Sequence, residues 1–127
     1  SAPGKVKSFG FRSHKKILER LFRKFNKENK EEKVIFISHN VPYNTKLDKI
    51  TSKEAHAKIK GKHYGSKLVR RIIDKYGPVL AIGGHIHESR GKQKLGGTLV
   101  VNPGASHEGH YAIIDVDDKG KVKVSFF

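Results

Sequence analysis

Two histidines one residue apart, His85 and His87, follow directly on an apolar run and a pair of glycines. Neutral imidazole is the commonest metal ligand among side chains, so the pair can present two nitrogen atoms to cations. The apolar run, Val79 to Ile82, predicts a fully buried strand. Because ligands bind outside the carboxyl ends of strands in open α/β sheets, the two histidines lie where such sites form.

A second predicted strand ends in the same way. Residues 34–37 are apolar and, with Ser38, indicate another buried strand, which is followed at once by His39. Pro42 cannot donate a main-chain hydrogen bond to a sheet, so we expect His39 on the first turn of a loop. The carboxyl ends of neighbouring parallel strands lie side by side, and His39 is therefore predicted to approach His85 and His87. Gly83 and Gly84 lack side chains and should allow a substrate or another backbone segment to approach closely there.

Three imidazoles support two kinds of metal site. They can hold one zinc ion with a position left for water, or they can be the nitrogen ligands of a two-metal site acting on phosphorus. A two-metal site needs carboxylates, and no Asp or Glu stands at a strand end before His39. Glu88 is adjacent to His87, and neighbouring side chains of an extended segment point in opposite directions. The residue types alone leave both alternatives open.

The elements that position these residues are predicted to be α/β units. A helix over residues 14–29, with Ser13 as its N-cap, gathers apolar residues that we expect in the core: Ile17, Leu18, Leu21, Phe22 and Phe25. A second helix runs from Ser66, its N-cap, to Gly77, with a buried stripe at Val69, Ile72, Ile73 and Tyr76. Between them, residues 46–65 are polar and weakly periodic, which is typical of a functional loop or lid.

The last part of the chain predicts an antiparallel strand meander. Its strands are expected at residues 98–102, 111–116 and 121–127, while residues 88–97 have no clear period. The expected fold class is therefore α/β, ending in antiparallel strands.

Composition limits the classes of function. With 127 residues the chain is one domain or part of one, and without cysteine it has no disulfide, thiolate zinc site or thiol catalysis. No apolar run approaches the roughly 20 residues that cross a bilayer, and no stretch resembles a secretory signal, so we expect a cytoplasmic protein without a membrane partner. The formal net charge of +15 favours an anionic substrate, with nucleic acid as an alternative partner.

Two sequence blocks carry a family resemblance. Gly84-His85-Ile86-His87 and Ser38-His39-Asn40-Val41-Pro42-Tyr43 each follow a predicted strand, and together they resemble the last two signature blocks of calcineurin-like metallophosphoesterases. The stretches His63-Tyr64-Gly65-Ser66 and Val101-Asn102-Pro103-Gly104-Ala105 are similar to the small Icc-like prokaryotic branch. The resemblance covers residues 34–116.

This resemblance implies the C-terminal half of a four-layer α/β/β/α sandwich and the hydrolysis of phosphomonoesters or phosphodiesters by water that two divalent ions activate. His39 and His85 would be ligands of one metal, His87 a ligand of the other, and His63 would lie near the substrate. Manganese, iron, zinc and nickel all suit such ligands. Of the remaining histidines, His56, His107 and His110 are expected at the surface, and the last two lie on a loop able to reach the site. His14 belongs to a charged helix end and is not expected to take part.

The family's first three blocks, Asp-x-His, Gly-Asp-x-x-Asp and Gly-Asn-His, do not occur in this chain. They would supply the other metal ligands and the acid–base histidine. We therefore expect residues 1–127 to be the C-terminal portion of a single metallophosphoesterase domain, inactive alone, with its N-terminal half missing or on a separate chain. An uncovered sheet edge would then favour a partner chain or an oligomer. The alternatives are a basic nucleic-acid-binding module and a catalytically inactive interaction module.

Overall fold

A computed structural model describes residues 9–29, 33–51, 58 and 61–127, with side chains in the first helix from residue 15 onward. The chain divides into two compact units, Ser1–Glu32 and Lys33–Phe127. No helix in these described ranges is long and apolar enough to cross a membrane.

The first unit contains helix α1, Phe9–Glu28. The helix starts before the predicted residue 14, so Ser13 lies inside it and the prediction that Ser13 is the N-cap is wrong. Gly10 suggested an irregular lead-in, but one glycine costs a helix only about 1 kcal/mol. The apolar stripe is also less buried than predicted, because Ile17, Leu21 and Phe25 are 45%, 53% and 47% exposed. A single helix cannot bury its own apolar face.

The second unit is built on a four-stranded mixed sheet. Its strands have the order β1-β2-β4-β3 and are β1 (Ile35–Asn40), β2 (Leu80–Gly84), β3 (Gly91–Leu95) and β4 (Thr98–Asn102). Strands β1 and β2 are parallel, as predicted for neighbouring α/β units. Strand β4, which was predicted to lie in the antiparallel meander, is also parallel to β2, and β3 pairs antiparallel with it. Strand β3 was not predicted, because its lysines, glutamine and flanking glycines suggest a loop.

Strand β2 is largely buried, but β1 lies at a sheet edge, and the prediction that β1 is buried is wrong. Its residues alternate between exposed and half-buried, and Ile35 and Ile37 are 50% and 71% exposed. The strand also continues to Asn40, so His39 is a strand residue and not part of a loop turn. The register with β2 shifts between Ile37 and Asn40, and pairing resumes at Asn40, two residues before Pro42.

Helix α2, Lys67–Tyr76, has the predicted boundaries. The Ser66 hydroxyl accepts a hydrogen bond from the Val69 main-chain N–H at 3.1 Å, and Gly77 ends the helix with a φ of 55°. Both devices satisfy main-chain groups that a helix end leaves unpaired. The helix packs onto the sheet through a core formed by Val41, Leu47, Val69, Ile73, Ala81, Ile86 and Val100.

The chain closes with a separate antiparallel hairpin of β5 (Ala112–Val116) and β6 (Val122–Phe126), in place of a longer meander. Its turn is organised by Asp117, whose carboxylate accepts hydrogen bonds from the main-chain N–H groups of Lys121 and Lys119 at 2.8 and 2.9 Å. These hydrogen bonds, chiefly the one from Lys121, lower the pKa of Asp117. The Arg90 guanidinium lies 5.2 Å from the centre of the Phe126 ring and ties the hairpin to the preceding loops.

Gly83 allows β2 to pass close to the end of β1. A Cβ atom at Gly83 would lie 2.5 Å from the Asn40 carbonyl oxygen, whereas one at Gly84 would lie 3.8 Å from the His39 carbonyl oxygen. We expect Gly83→Ala to lower the free energy of unfolding by about 1–3 kcal/mol because main-chain atoms must move apart. Gly84→Ala is the matched control and should change it by less than about 0.5 kcal/mol. Urea unfolding followed by circular dichroism measures both, and equal midpoints would contradict this account.

Candidate metal centre

His39 and His85 meet at the carboxyl ends of the parallel strands β1 and β2. The Nε2 atom of His39 lies 3.0 Å from the Nδ1 atom of His85, and the rings are edge to face with centroids 4.9 Å apart. Sequence reasoning predicted this approach, although it placed His39 beyond the strand. The register shift near the end of β1 lies beside the point where the two rings meet.

The main chain turns sharply at His85, which has a φ of 71°. This left-handed conformation is uncommon for a residue with a side chain and tends to occur at functional sites. The turn is closed by a 2.8 Å hydrogen bond from the Ile86 main-chain N–H to the Gly84 carbonyl. The buried side chain of Ile86 then anchors the segment between His85 and His87.

The surroundings of His85 favour its neutral form. Desolvation by burial, followed by the positive charge of a protonated His39, lowers the pKa of His85. The neutral ring is the form that binds a metal, since one of its nitrogens keeps a lone pair. Without an ion, one of the two facing rings donates an N–H to the other.

The distance between these nitrogens suits one shared ion. Two ligand atoms about 2.1 Å from a metal and about 90° apart lie about 3.0 Å from each other. The observed separation has the same value. His39 and His85 are therefore close enough for both nitrogens to bind one ion, and without an ion the same distance is that of an N–H···N hydrogen bond.

His87 begins a short 3₁₀ helix, His87–Ser89, and pairs with a different histidine. Its ring packs against that of His107, with centroids 5.4 Å apart. One potential ligand atom from each of His87, His107 and Glu108 lies within 4.8 Å of the others. His107 is exposed, as predicted, and its loop does reach the site. Glu108 was missed by sequence reasoning.

The signal that could have found Glu108 is the one that found His39. His107 and Glu108 follow the carboxyl end of β4, which is parallel to β2 and pairs with it. Residues after two parallel neighbouring strands meet at one edge of the sheet. Strand β4 was predicted to lie in the antiparallel meander, so its carboxyl end was not expected at this edge.

Asn102 connects the two loops that carry this second cluster. It is completely buried, and its amide nitrogen donates to the carbonyls of Ile86 and Ser89 at 2.8 and 3.1 Å. Its amide oxygen accepts from the Gly104 main-chain N–H at 3.1 Å. The Asn102 side chain thus binds the main chain on both sides of His87 and also fixes the start of the loop that leads to His107.

His63 belongs to a different hydrogen-bond group. Its Nδ1 atom lies 2.5 Å from the carboxylate of Asp48, which is completely buried. The same carboxylate accepts main-chain hydrogen bonds from Asn44, Thr45 and Gly65 at 2.9, 2.9 and 3.0 Å. An ionised carboxylate only accepts, so the proton of a neutral His63 is on Nδ1 and its Nε2 atom keeps the lone pair.

This group holds both ends of residues 46–65, which were predicted to be a functional loop or lid. Leu47 and Asp48 are buried, and Lys49 forms a β-bridge with His63, so the described start and end of residues 46–65 are packed in place. Residues 52–57, which include His56, lie outside the described part. The Glu88 carboxylate accepts a hydrogen bond from the Thr51 main-chain N–H at 2.7 Å, on a 3₁₀ helix in place of the predicted extended segment.

An open pocket lies beside His85 and His87. Its volume is about 450 Å³, within the range of about 300–1,000 Å³ common for small-molecule sites. The residues that line it are Ile50, His85, Ile86, His87, Glu88 and Glu108. A ligand in this pocket would contact the ends of the same two loops that carry the candidate metal ligands.

Known proteins resemble this chain in sequence and in fold. The uncharacterized protein MJ1162 of Methanocaldococcus jannaschii is 40% identical to this chain over 88 residues. The alignment covers 67% of this chain and 38% of that protein. A crystal structure with 32% identity has a TM-score of 0.67, covering 87% of this chain and 39% of the other. The crystal structure of TT1561 from Thermus thermophilus shares the fold, with 20% identity, a TM-score of 0.53, and coverage of 87% and 41%.

This chain thus spans about two fifths of the length of each of these proteins. A family model described as metallophosphoesterase, calcineurin superfamily, matches residues 12–126. The match extends beyond the predicted range of 34–116 and includes most of α1. The family and the mixed α/β fold with its closing antiparallel strands are confirmed, and the chain belongs to the metallophosphoesterases of the calcineurin superfamily.

Proposed function

We propose that this chain supplies the histidine ligands of a metal-dependent phosphoesterase that hydrolyses phosphomonoesters or phosphodiesters. The observation that carries the proposal is the 3.0 Å separation of His39 Nε2 and His85 Nδ1 at the ends of two parallel strands. Two divalent ions, when bound, supply an activated water and positive charge that stabilises the phosphoryl oxygens. Membership of the metallophosphoesterase family supports the same reading.

The residues of this chain have distinct proposed roles. His39 and His85 hold one ion, and His87 holds the other, with manganese, iron, zinc or nickel as suitable metals. Partial desolvation and the neighbouring His39 lower the pKa of the exposed His85, which favours the neutral form that binds a metal. His63 binds near the substrate, where the buried carboxylate of Asp48 holds its Nδ1–H and leaves Nε2 to accept a proton or a hydrogen bond.

The net charge of the chain favours an anionic substrate, and the volume of the pocket, whose lining includes Glu88 and Glu108, limits the size of that substrate. The 450 Å³ pocket has room for a phosphate ester with a small organic group. A formal net charge of +15 attracts such an ester over a distance and raises its local concentration. The substrate is therefore proposed as a phosphate ester, bound with its phosphoryl group against the histidines.

The remaining ligands are proposed to come from a segment that carries the family's first three blocks, either on a separate chain or on the same one. Ile35, Ile37 and His39 are the exposed residues of β1, and the first two are 50% and 71% exposed. A segment that completes the metal site beside His39 therefore also covers these isoleucines. Burying them would release apolar surface from water and stabilise the complex.

The test is a phosphodiesterase assay of the purified chain with and without such a segment, with manganese and bis-p-nitrophenyl phosphate. We expect hydrolysis only when both parts are present, together with their co-elution in size-exclusion chromatography. His39→Ala and His85→Ala should each lower the rate at least about 100-fold, since a contribution of that size is typical of a catalytic group. His110→Ala is the matched control and should retain the rate.

Two outcomes would contradict the proposal. Hydrolysis by this chain alone at an ordinary enzymatic rate would show that the second segment is not needed. A complex that binds metal but hydrolyses neither monoesters nor diesters would favour an inactive interaction module. The basic charge supports the other alternative, which predicts salt-dependent nucleic-acid binding that persists in His39→Ala.

A further inference from the structure

His87, His107 and Glu108 form a group of potential ligands distinct from the His39–His85 pair. All three side chains are exposed, and one ligand atom from each lies within 4.8 Å of the other two. They come from two loops that are far apart in sequence, after β2 and after β4. Two loops converge here to bring two imidazoles and a carboxylate together.

We propose that His87, His107 and Glu108 form a transition-metal site that this chain builds with its own residues. The inference deepens the proposed function at His87, on which that function relies, by giving its metal two further ligands. Two imidazoles and one carboxylate can bind zinc and similar ions, with a remaining position for water or substrate. The site therefore does not need ligands from another segment to hold an ion.

The distances allow binding after small rotations. Ligand atoms around a tetrahedral zinc lie about 3.3–3.5 Å apart, since each is about 2.0–2.1 Å from the metal. The upper limit of 4.8 Å exceeds this by an amount that side-chain rotation can remove. Exposed side chains change rotamer on a fast timescale, and the loops themselves do not need to move.

The loop that carries His107 and Glu108 is held by its own hydrogen bonds. The Glu108 main-chain N–H donates to the carbonyl of Ala105, which is buried, and that of Gly109 donates to the carbonyl of Ser106, at 3.1 and 2.9 Å. Asn102 fixes the start of this loop and the segment of His87 at once. Such support reduces the entropy lost when an ion binds.

An ion pair between His107 and Glu108 at the surface would explain less of this arrangement than a metal site does. His107 Nε2 lies 3.6 Å from a Glu108 carboxylate oxygen, with the two side chains 70% and 49% exposed. Pairs this exposed contribute about 0–1 kcal/mol and do not organise a second loop. The ion pair also leaves unexplained why His87 arrives beside His107 from the end of another strand.

The test is a cobalt titration of the untagged full chain, followed by visible absorption and by calorimetry. The double variant His39→Ala/His85→Ala removes the other candidate pair and isolates the proposed site. In that background we expect one Co²⁺ bound per chain. His107→Ala and Glu108→Gln should each weaken binding at least about tenfold, because loss of even an outer partner of a ligand costs about 10–100-fold. His110→Ala, on the same loop, is the control and should bind as the background does.

Either of two results would overturn the inference. One is an absence of stoichiometric cobalt binding in the double variant. The other is binding that His107→Ala and Glu108→Gln leave equal to that of His110→Ala, which would identify His107 and Glu108 as a surface ion pair only. A complex that binds cobalt as expected here but fails in the phosphodiesterase assay would count against the proposed function alone. The two proposals can thus fail separately.

Discussion

Asp48→Asn is expected to lower the free energy of unfolding by about 2–5 kcal/mol, because it replaces half of a buried acceptor with a donor. The Asp48 carboxylate is completely buried and accepts three main-chain hydrogen bonds in addition to its contact with His63. An amide has one acceptor atom, so its nitrogen must face main-chain N–H groups. Each buried donor left unpaired costs about 1–3 kcal/mol.

A graded series makes this prediction specific. His63→Ala removes one donor and leaves the three main-chain donors of Asp48 in place, so it should cost less than Asp48→Asn. Asp74→Asn is the matched control, since Asp74 forms an exposed pair with Arg70 on one face of α2 and should change stability by less than about 0.5 kcal/mol. Urea unfolding measures all three. Equal midpoints for Asp48→Asn and Asp74→Asn would show that the buried carboxylate is not a structural centre.

Signals within a few residues of each other were sufficient to predict the ends of helix α2 and the approach of two histidines. Helix α2 has both its predicted ends because Ser66 and Gly77 satisfy unpaired main-chain groups, which depends on residues a few positions away. The approach of His39 to His85 was also predictable, since adjacent parallel strands bring their carboxyl ends to one edge.

Burial was less predictable, because it depends on what covers a surface. An apolar run such as that of β1 indicates a strand but does not tell whether both of its sides are paired. Ile37 is 71% exposed because, in the described part of the chain, little covers the face of β1 to which its side chain points. The burial of the apolar stripe of α1 was overestimated for the same reason, because a helical period reveals an apolar face but not what packs against it.

The supporting residues of the site were not predictable from their own neighbours in sequence. Asp48 lies in a polar stretch where nothing distinguishes it, and its partner His63 is 15 positions away. Glu108 becomes a candidate only when β4 is known to lie beside β2. Such contacts depend on strand order, which a single sequence without recognisable connections leaves open.

Asn102→Asp is the second change with a large expected effect, and it should lower the free energy of unfolding by about 3 kcal/mol or more at neutral pH. The Asn102 amide nitrogen donates to the carbonyls of Ile86 and Ser89, whereas an ionised carboxyl has no hydrogen to donate and repels both oxygens. The substitution conserves shape, so the loss comes from hydrogen bonding and charge and not from a cavity. It should also weaken cobalt binding at His87, because the segment that carries His87 loses its anchor.

The sign of the pH dependence separates this mechanism from general destabilisation. The fold favours the neutral form of the introduced carboxyl, so its pKa is raised in the folded state and protonation at low pH restores one donor. The stability difference from the parent chain should therefore shrink as pH falls from 8 to about 5.

Gln93→Glu is the control for the same change of amide to carboxylate. Its amide oxygen accepts from the Lys46 main-chain N–H at 2.7 Å, a role that a carboxylate keeps, and its effect should stay below about 0.5 kcal/mol. A loss for Asn102→Asp that does not change with pH would mean that the donor groups of this amide do not hold the two loops together.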